Sequence, residues 1–314
     1  MNKQVWLLFS IFFITSCASE NPILINQDAF PQDKETYQKQ IVAQLSGATQ
    51  LADGSLLGAR WSEEERKKSA SYLKNLLLTV GIDPIEHHYR SPNLNPAIDL
   101  ILEPFKGTNI YGILPSSSKS KEYVILGAHY DSGKRNTPGA IDNATGIALI
   151  YSVVKELAAQ KERSKNSVIV FFDQEEEELI GSKAFAQLLL EMEWEIHSVH
   201  CFDMVGWDED KDLVMETFSG SESLSNLYKK VAMKQKKSLK QIMINPEGHT
   251  KNSTDFDSFV RAGYPTIGAG ECYYHRDSTP FKDTPADTYE TVDFDYLLSC
   301  TEIIEEIIKE IVLP

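Results

Sequence analysis

The chain has 314 residues, 42% of them hydrophobic, enough for one large domain or two small ones. Its 31 Lys and Arg stand against 46 Asp and Glu, a formal charge of −15. That balance excludes the basic face nucleic-acid binding requires and weakens any case for docking on anionic lipid through charge.

At the N-terminus, Lys3 precedes an apolar run over 5–14, followed by Thr15, Ser16 and Cys17. The run is too short to span a bilayer comfortably and reads as a processed export segment. Ile14-Thr15-Ser16-Cys17 resembles the bacterial lipobox, in which the Cys becomes the acylated first residue; a plain secretory signal with a chance Cys is the other reading. Either way an exported protein is expected, and any membrane attachment would be through lipid on Cys17. Ala18 after that Cys is compatible with outer-membrane sorting, so the expected location is the outer membrane or periplasmic face of a bacterial envelope. Residues 1–17 are thus read as signal peptide, 18–50 as a tether and helical arm, and 51–314 as the main domain. With Cys17 lipidated, Cys201, Cys272 and Cys300 remain, an odd count without CxxC spacing, hence no thiolate zinc site.

Tyr37, Ile41, Val42 and Leu45 form a helical stripe. Ser62 and Glu65 read as a capping box for a second helix carrying Leu73, Leu76 and Leu77, with Gly81 as its C-terminal stop. Strands are expected over 85–89, 98–102, 109–114 and 123–128, then a helix over 144–157. Further strands fall at 167–172, 199–202, 213–218 and 266–269, with helices at 181–190, 224–233 and 256–260. The last helix carries an apolar stripe of Leu297, Cys300, Ile304, Ile307, Ile308 and Ile311. Apolar strands alternating with helices predict an α/β fold, a three-layer sandwich whose mixed, mostly parallel central sheet has helices on both faces. Ligands of such sheets sit at the carboxyl ends of strands.

Three apolar strands end in a metal-capable group. The strand at 123–128 runs into His129 and then Asp131, 167–172 into Asp173 with Glu175 and Glu176 beyond, and 199–202 into Asp203. Asp142 opens the helix after the first of these. Parallel neighbouring strands would bring these side chains to one edge, and so many carboxylates repel unless cations offset them. Mixed His and carboxylate donors suit zinc.

The sequence here resembles the co-catalytic dizinc aminopeptidases of the aminopeptidase Y and bacterial leucyl aminopeptidase type, whose fold is shared with glutaminyl cyclases. The resemblance runs from about Gly58 to the C-terminus. It rests on Gly127-Ala128-His129-Tyr130-Asp131-Ser132, Gly139-Ala140-Ile141-Asp142-Asn143-Ala144-Thr145-Gly146, Phe171-Phe172-Asp173-Gln174-Glu175-Glu176 with Gly181-Ser182, Phe202-Asp203-Met204-Val205-Gly206, and Thr284-Pro285-Ala286-Asp287-Thr288. It implies a zinc exopeptidase-like catalytic domain with two Zn2+ ions, acting on a peptide or small amide. His129 and Asp203 would hold one ion, Asp142 would bridge, and Glu176 would bind the second. Asp131 would orient His129, and Glu175 would be the general base.

The pattern departs from the family at its last ligand, where a His is usual and this chain has Asp283. Asp283 can ligate through oxygen; His275, eight residues upstream, could swing in; or the second ion is weak or absent. A second departure is Thr254-Asp255-Phe256, where many relatives have Ser-Asp-His. His87, His88, His197, His200 and His249 have no ligand-type spacing partner, His87 and His88 being read as surface residues. Two alternatives to an aminopeptidase follow: a glutaminyl cyclase-like acyltransferase, or a non-catalytic binding domain on the same fold. Against the cyclase stands the compact Leu179-Ile180-Gly181-Ser182 directly after the acidic run.

Overall fold

The structure is a computed structural model that describes residues 24–91, 105–133, 136–243 and 254–314. Cys17 with its lipobox, the strand expected over 98–102, and His249 lie outside the described residues. In chain order the elements are α1 (Lys34–Leu45), α2 (Glu63–Leu78), β1 (Ile85–Ser91), β2 (Phe105–Leu114), β3 (Glu122–His129), α3 (Thr145–Ala159), β4 (Asn166–Phe172), α4 (Ile180–Glu191) and β5 (Glu195–Asp203). They continue with β6 (Met215–Ser219), α5 (Glu222–Lys234), β7 (Leu239–Met243), α6 (Phe256–Arg261), β8 (Thr266–Gly270) and α7 (Phe294–Val312).

The strands form one sheet in the order β1-β2-β4-β3-β5-β8-β6-β7. Its middle, β4-β3-β5-β8, is parallel throughout. The flanks are more antiparallel than expected: β1 with β2, β2 with β4, and β6 with β8 all run antiparallel, and only β6 with β7 returns to parallel. The sheet is therefore mixed, and its parallel character is concentrated where the sequence is most apolar, as expected of strands buried on both faces.

Side-chain alternation sorts the two layers. Val124, Leu126 and Ala128 of β3, with Ile169 and Phe171 of β4, face a core shared with α1, α2, α3, α5 and α7. Ile125 of β3, Val168, Val170 and Phe172 of β4, and Val199 and Cys201 of β5 face the opposite core, closed by Phe185 of α4 and Phe256 and Phe259 of α6. Gly127 permits this packing, because a Cβ there would stand 2.5 Å from the Phe172 ring.

Helix ends are set by local chemistry. Ser62 Oγ accepts from the Glu65 amide while the Glu65 carboxylate accepts from the Ser62 amide, a full capping box whose Ser is worth about 1 kcal/mol. Past the end of α2, Gly81 adopts φ 73°, the left-handed conformation glycine allows without strain. α7 buries Leu297, Cys300, Ile303, Ile304, Ile307 and Ile308 completely, each large apolar side chain contributing roughly 1.5–3 kcal/mol. The three cysteines among the described residues are free and buried. No helix among the described residues is long and apolar enough to cross a membrane.

Candidate metal centre

The site is built on strand parity. His129 follows Ile125 and Gly127 on the α4/α6 face, and Asp203 follows Val199 and Cys201 on that same face of the neighbouring parallel strand. They meet at the carboxyl edge, His129 Nε2 lying 3.3 Å from Asp203 Oδ1. Asp173 is one residue out of phase, following Phe172, so it points to the other layer. There its Oδ1 lies 2.8 Å from Arg66 Nε of α2 and its Oδ2 accepts from the Thr108 amide. It is therefore a structural ion-pair partner, away from the cluster.

Asp142 is delivered by a bent loop before α3. Gly139 takes φ 64°, and the Asp142–Asn143 peptide is cis. Asp287 holds the loop from the far end of the chain, its Oδ1 accepting from the Ile141 amide at 2.8 Å and its Oδ2 from the Asp142 amide at 3.1 Å. Asn143 fastens the next residue to β5, donating to the Phe202 carbonyl. Asp142 Oδ1 then stands 3.0 Å from His129 Nε2. Beneath the loop, fully buried Arg60 donates to the carbonyls of Tyr130, Pro138 and Gly139, tying the two loop ends together.

Asp131 connects His129 to the acidic turn after β4. Its Oδ1 lies 3.5 Å from His129 Nδ1, and its two oxygens accept from the amides of Glu175 and Glu176. His129 Nδ1 lies closer still, at 3.2 Å, to the Asp131 backbone carbonyl, so Asp131 touches the ring through both backbone and side chain while its carboxylate holds the backbone of both glutamates. Glu175 is 7% exposed and Glu176 somewhat more. Burial, with Asp203, Asp255 and Glu176 nearby, holds the Glu175 pKa well above its ordinary value. Burial, then Asp142, raises Glu176 to about 9. Burial opposes charge on His129, but Glu175 and its contacts to Asp131, Asp142 and Asp203 outweigh that and hold its pKa well above 6.5.

The remaining cation was not anticipated. Lys282 Nζ lies 3.6 Å from Asp142 Oδ2, and the Asp142 carboxylate above all holds its pKa above the ordinary value. Asp283, expected as the last ligand, stands outside the tight cluster. It is exposed at φ 58°, and its Oδ1 lies against Gly133, 2.3 Å from where a Cβ there would be. His275 is engaged elsewhere, its Nδ1 bonded to Glu216. His200 is buried between Tyr228 and Ser198 with its pKa pushed down by burial to about 3. His87, expected at the surface, is half-buried against Phe185 and bonded to Asn109.

One donor atom each of His129, Asp142 and Glu176 lies within 4.8 Å of the others. Both Asp142 oxygens and Glu176 Oε1 are buried without a hydrogen-bond partner, a costly state in a protein interior. Tetrahedral zinc ligands about 2.0–2.2 Å from the ion stand ~3.3–3.5 Å apart, close to the separations around His129 Nε2. The donors thus fit a zinc ion. Beside them opens a cavity of about 310 Å³ lined by Asp203, Met204, Phe218, Thr254, Tyr273 and Lys282.

Residues 109–308 match the family described as peptidase family M28. A "probable zinc metalloprotease" of Pyrenophora tritici-repentis is 30% identical over 119 residues, 36% of this chain and 27% of that protein. The chain spans about a quarter or less of the length of the curated relatives it matches. Among solved structures, BSAP, a zinc aminopeptidase from Bacillus subtilis, aligns with TM-score 0.74 at 15% identity, covering 90% of this chain and 96% of that one. Porphyromonas gingivalis glutaminyl cyclase aligns with TM-score 0.68 at 17% identity, covering 92% and 99%. At these identities the structural likeness establishes the shared fold.

Proposed function

The chain belongs to peptidase family M28, and from that premise we propose that it is a zinc-dependent aminopeptidase releasing N-terminal residues from peptides or small amides. The observation carrying this reading is the buried donor set of Asp142 and Glu176 around His129 Nε2, with carboxylate oxygens that make no hydrogen bond, adjoining a cavity of about 310 Å³. The residues that would hold zinc are His129, Asp142, Asp203 and Glu176.

Zinc in such a site supplies Lewis acidity toward the scissile carbonyl and makes a water acidic near neutral pH. Glu175 is the group that takes a proton from the attacking water and returns it to the leaving amine nitrogen. Its buried carboxylate, surrounded by other acids, is a better base than an exposed one. Asp131 holds the Glu175 amide and the His129 ring together, so base and ligand keep one geometry. The cavity walls Met204, Phe218 and Tyr273 would receive the N-terminal side chain and exclude water from it.

Export and lipid anchoring through Cys17 in a bacterial envelope are part of the same proposal, supported by the lipobox pattern. Replacing Cys17 with Ser should abolish incorporation of labelled fatty acid; continued labelling would remove the anchor.

The test of function is chelator-sensitive hydrolysis across a panel of aminoacyl amides by protein shown to contain zinc. Absence of both zinc and hydrolysis would sink the reading. Cyclisation of a peptide with N-terminal Gln, without amide hydrolysis, would move it to the acyltransferase.

A further inference from the structure

The carboxylate of Asp142 faces two ways. Its Oδ1 lies 3.0 Å from His129 Nε2, which also meets Asp203 Oδ1 at 3.3 Å. Its Oδ2 faces the Lys282 ammonium at 3.6 Å. The centre therefore has two halves sharing one carboxylate. The first holds two carboxylates, Asp142 and Asp203, converging on an imidazole. The second holds Asp142 Oδ2 and that ammonium, while one Glu176 oxygen lies within 4.8 Å of both the His129 and the Asp142 donor atoms and so belongs with the first half. An ammonium has three donors and no acceptor, so it cannot ligate a metal. It can only neutralise the carboxylates that a second ion would need, and it would repel that ion strongly across a few ångströms. Of the other candidate ligands, Asp283 lines the same cavity but is exposed with its Oδ1 against Gly133, and His275 is bonded to Glu216.

We propose that the Lys282 ammonium is the resident cation of the second half of this centre, so that each chain binds one divalent ion, held by His129 with Asp142, Asp203 and Glu176. This rests on the zinc reading of the site. It revises the stoichiometry of two that the resemblance implied, and it gives Lys282 the task of keeping Asp142 neutralised beside Glu176.

The experiment is zinc stoichiometry by equilibrium dialysis and elemental analysis on the full-length wild type, Lys282→Met and Lys282→Arg. Met keeps the aliphatic stem and removes the charge; Arg keeps the charge. Circular dichroism of each protein confirms that it is folded. Wild type and Lys282→Arg should hold one zinc per chain, and Lys282→Met should rise to two, the second ion entering beside Asp142 where the ammonium stood. Two zincs in wild type would overturn the proposal. So would one zinc in folded Lys282→Met, because the exclusion would then lie elsewhere, in the donor set itself. Either result leaves the peptidase reading standing, whereas no zinc in any of the three would remove both.

Discussion

The Glu175 amide donates to Asp131 Oδ1 at 3.0 Å, and that same oxygen stands 3.5 Å from His129 Nδ1. Asp131 thus holds the backbone of the proposed general base through its carboxylate, and the back of the proposed metal-binding ring through that carboxylate and its own backbone carbonyl, 3.2 Å from Nδ1. Residues that orient ligating imidazoles typically contribute 10–100-fold to metal affinity. Asp131→Ala should therefore weaken zinc binding by about that factor and lower turnover further, because the Glu175–Glu176 turn also loses two amide acceptors. Competition against a metal-sensitive chelator dye measures the first effect; an unchanged zinc affinity would show that Asp131 serves the turn alone.

Glu175→Gln separates chemistry from metal binding. The amide is isosteric but cannot accept a proton, so turnover should fall by roughly 10²–10⁴. Zinc content should stay at the wild-type value, since His129, Asp142 and Asp203 are untouched. Turnover within a few-fold of wild type would take the base role away from Glu175.

Part of this site was legible because His129, Asp203 and the acidic turn follow strands whose apolar runs are unmistakable, whereas Asp142, in a loop, took its bridging role only from the resemblance. His129, Asp203 and the acidic turn after Phe172 share that signal, and the register of β4-β3-β5 brings them to one edge. Asp173 carried the same signal, the resemblance gave it no ligand role, and strand parity puts it against Arg66. The strand β7 escaped notice because Lys240 and Gln241 interrupt its apolar pattern, as suits a sheet edge. The strand expected from Leu213 starts instead at Met215, since Leu213 takes φ 56° and gives its amide to Asp208. Lys282 left no trace in the sequence: a lone Lys in a loop has no periodicity or spacing partner, and only the fold sets it beside Asp142.

Asp287 stood in a recognised motif without an assigned role, and the structure supplies one. Its carboxylate accepts from the consecutive amides of Ile141 and Asp142. Asp287→Asn keeps one acceptor and turns an NH2 toward the second amide. Leaving that buried amide unsatisfied should cost about 1–3 kcal/mol of stability and let Asp142 drift from His129. Chemical unfolding monitored by fluorescence gives the first number and zinc affinity the second. Unchanged values for both would mean the loop is held by Asn143 and Arg60 alone.

The acids of the centre predict how the metal-free protein responds to pH. Burial, reinforced by Asp142, raises Glu176 to about 9 from 4.5. Burial likewise raises Asp255 to about 7 and Asp287 to about 7, each from 3.8. A carboxyl whose folded pKa lies above its unfolded one binds more protons folded than unfolded between the two values. Stability contributed by that protonation is present at low pH and lost as pH rises toward the folded pKa. His129, also raised, loses stability in the same direction. Asp142 is the exception: burial acts to raise it, but Lys282 and His129 hold it below 3.8, so its contribution is lost only in stronger acid. The metal-free protein should therefore melt at progressively lower temperature from pH 5 to pH 9, at up to ~1.4 kcal/mol per pH unit for each proton involved. Zinc favours the ionised ligands, so its affinity should rise over the same interval and flatten the decline in the loaded protein. Thermal scans with chelator and with zinc at matched pH values decide the matter. A metal-free midpoint that is level or climbs from pH 6 to pH 9 would mean that these carboxyls are already ionised when the centre is empty.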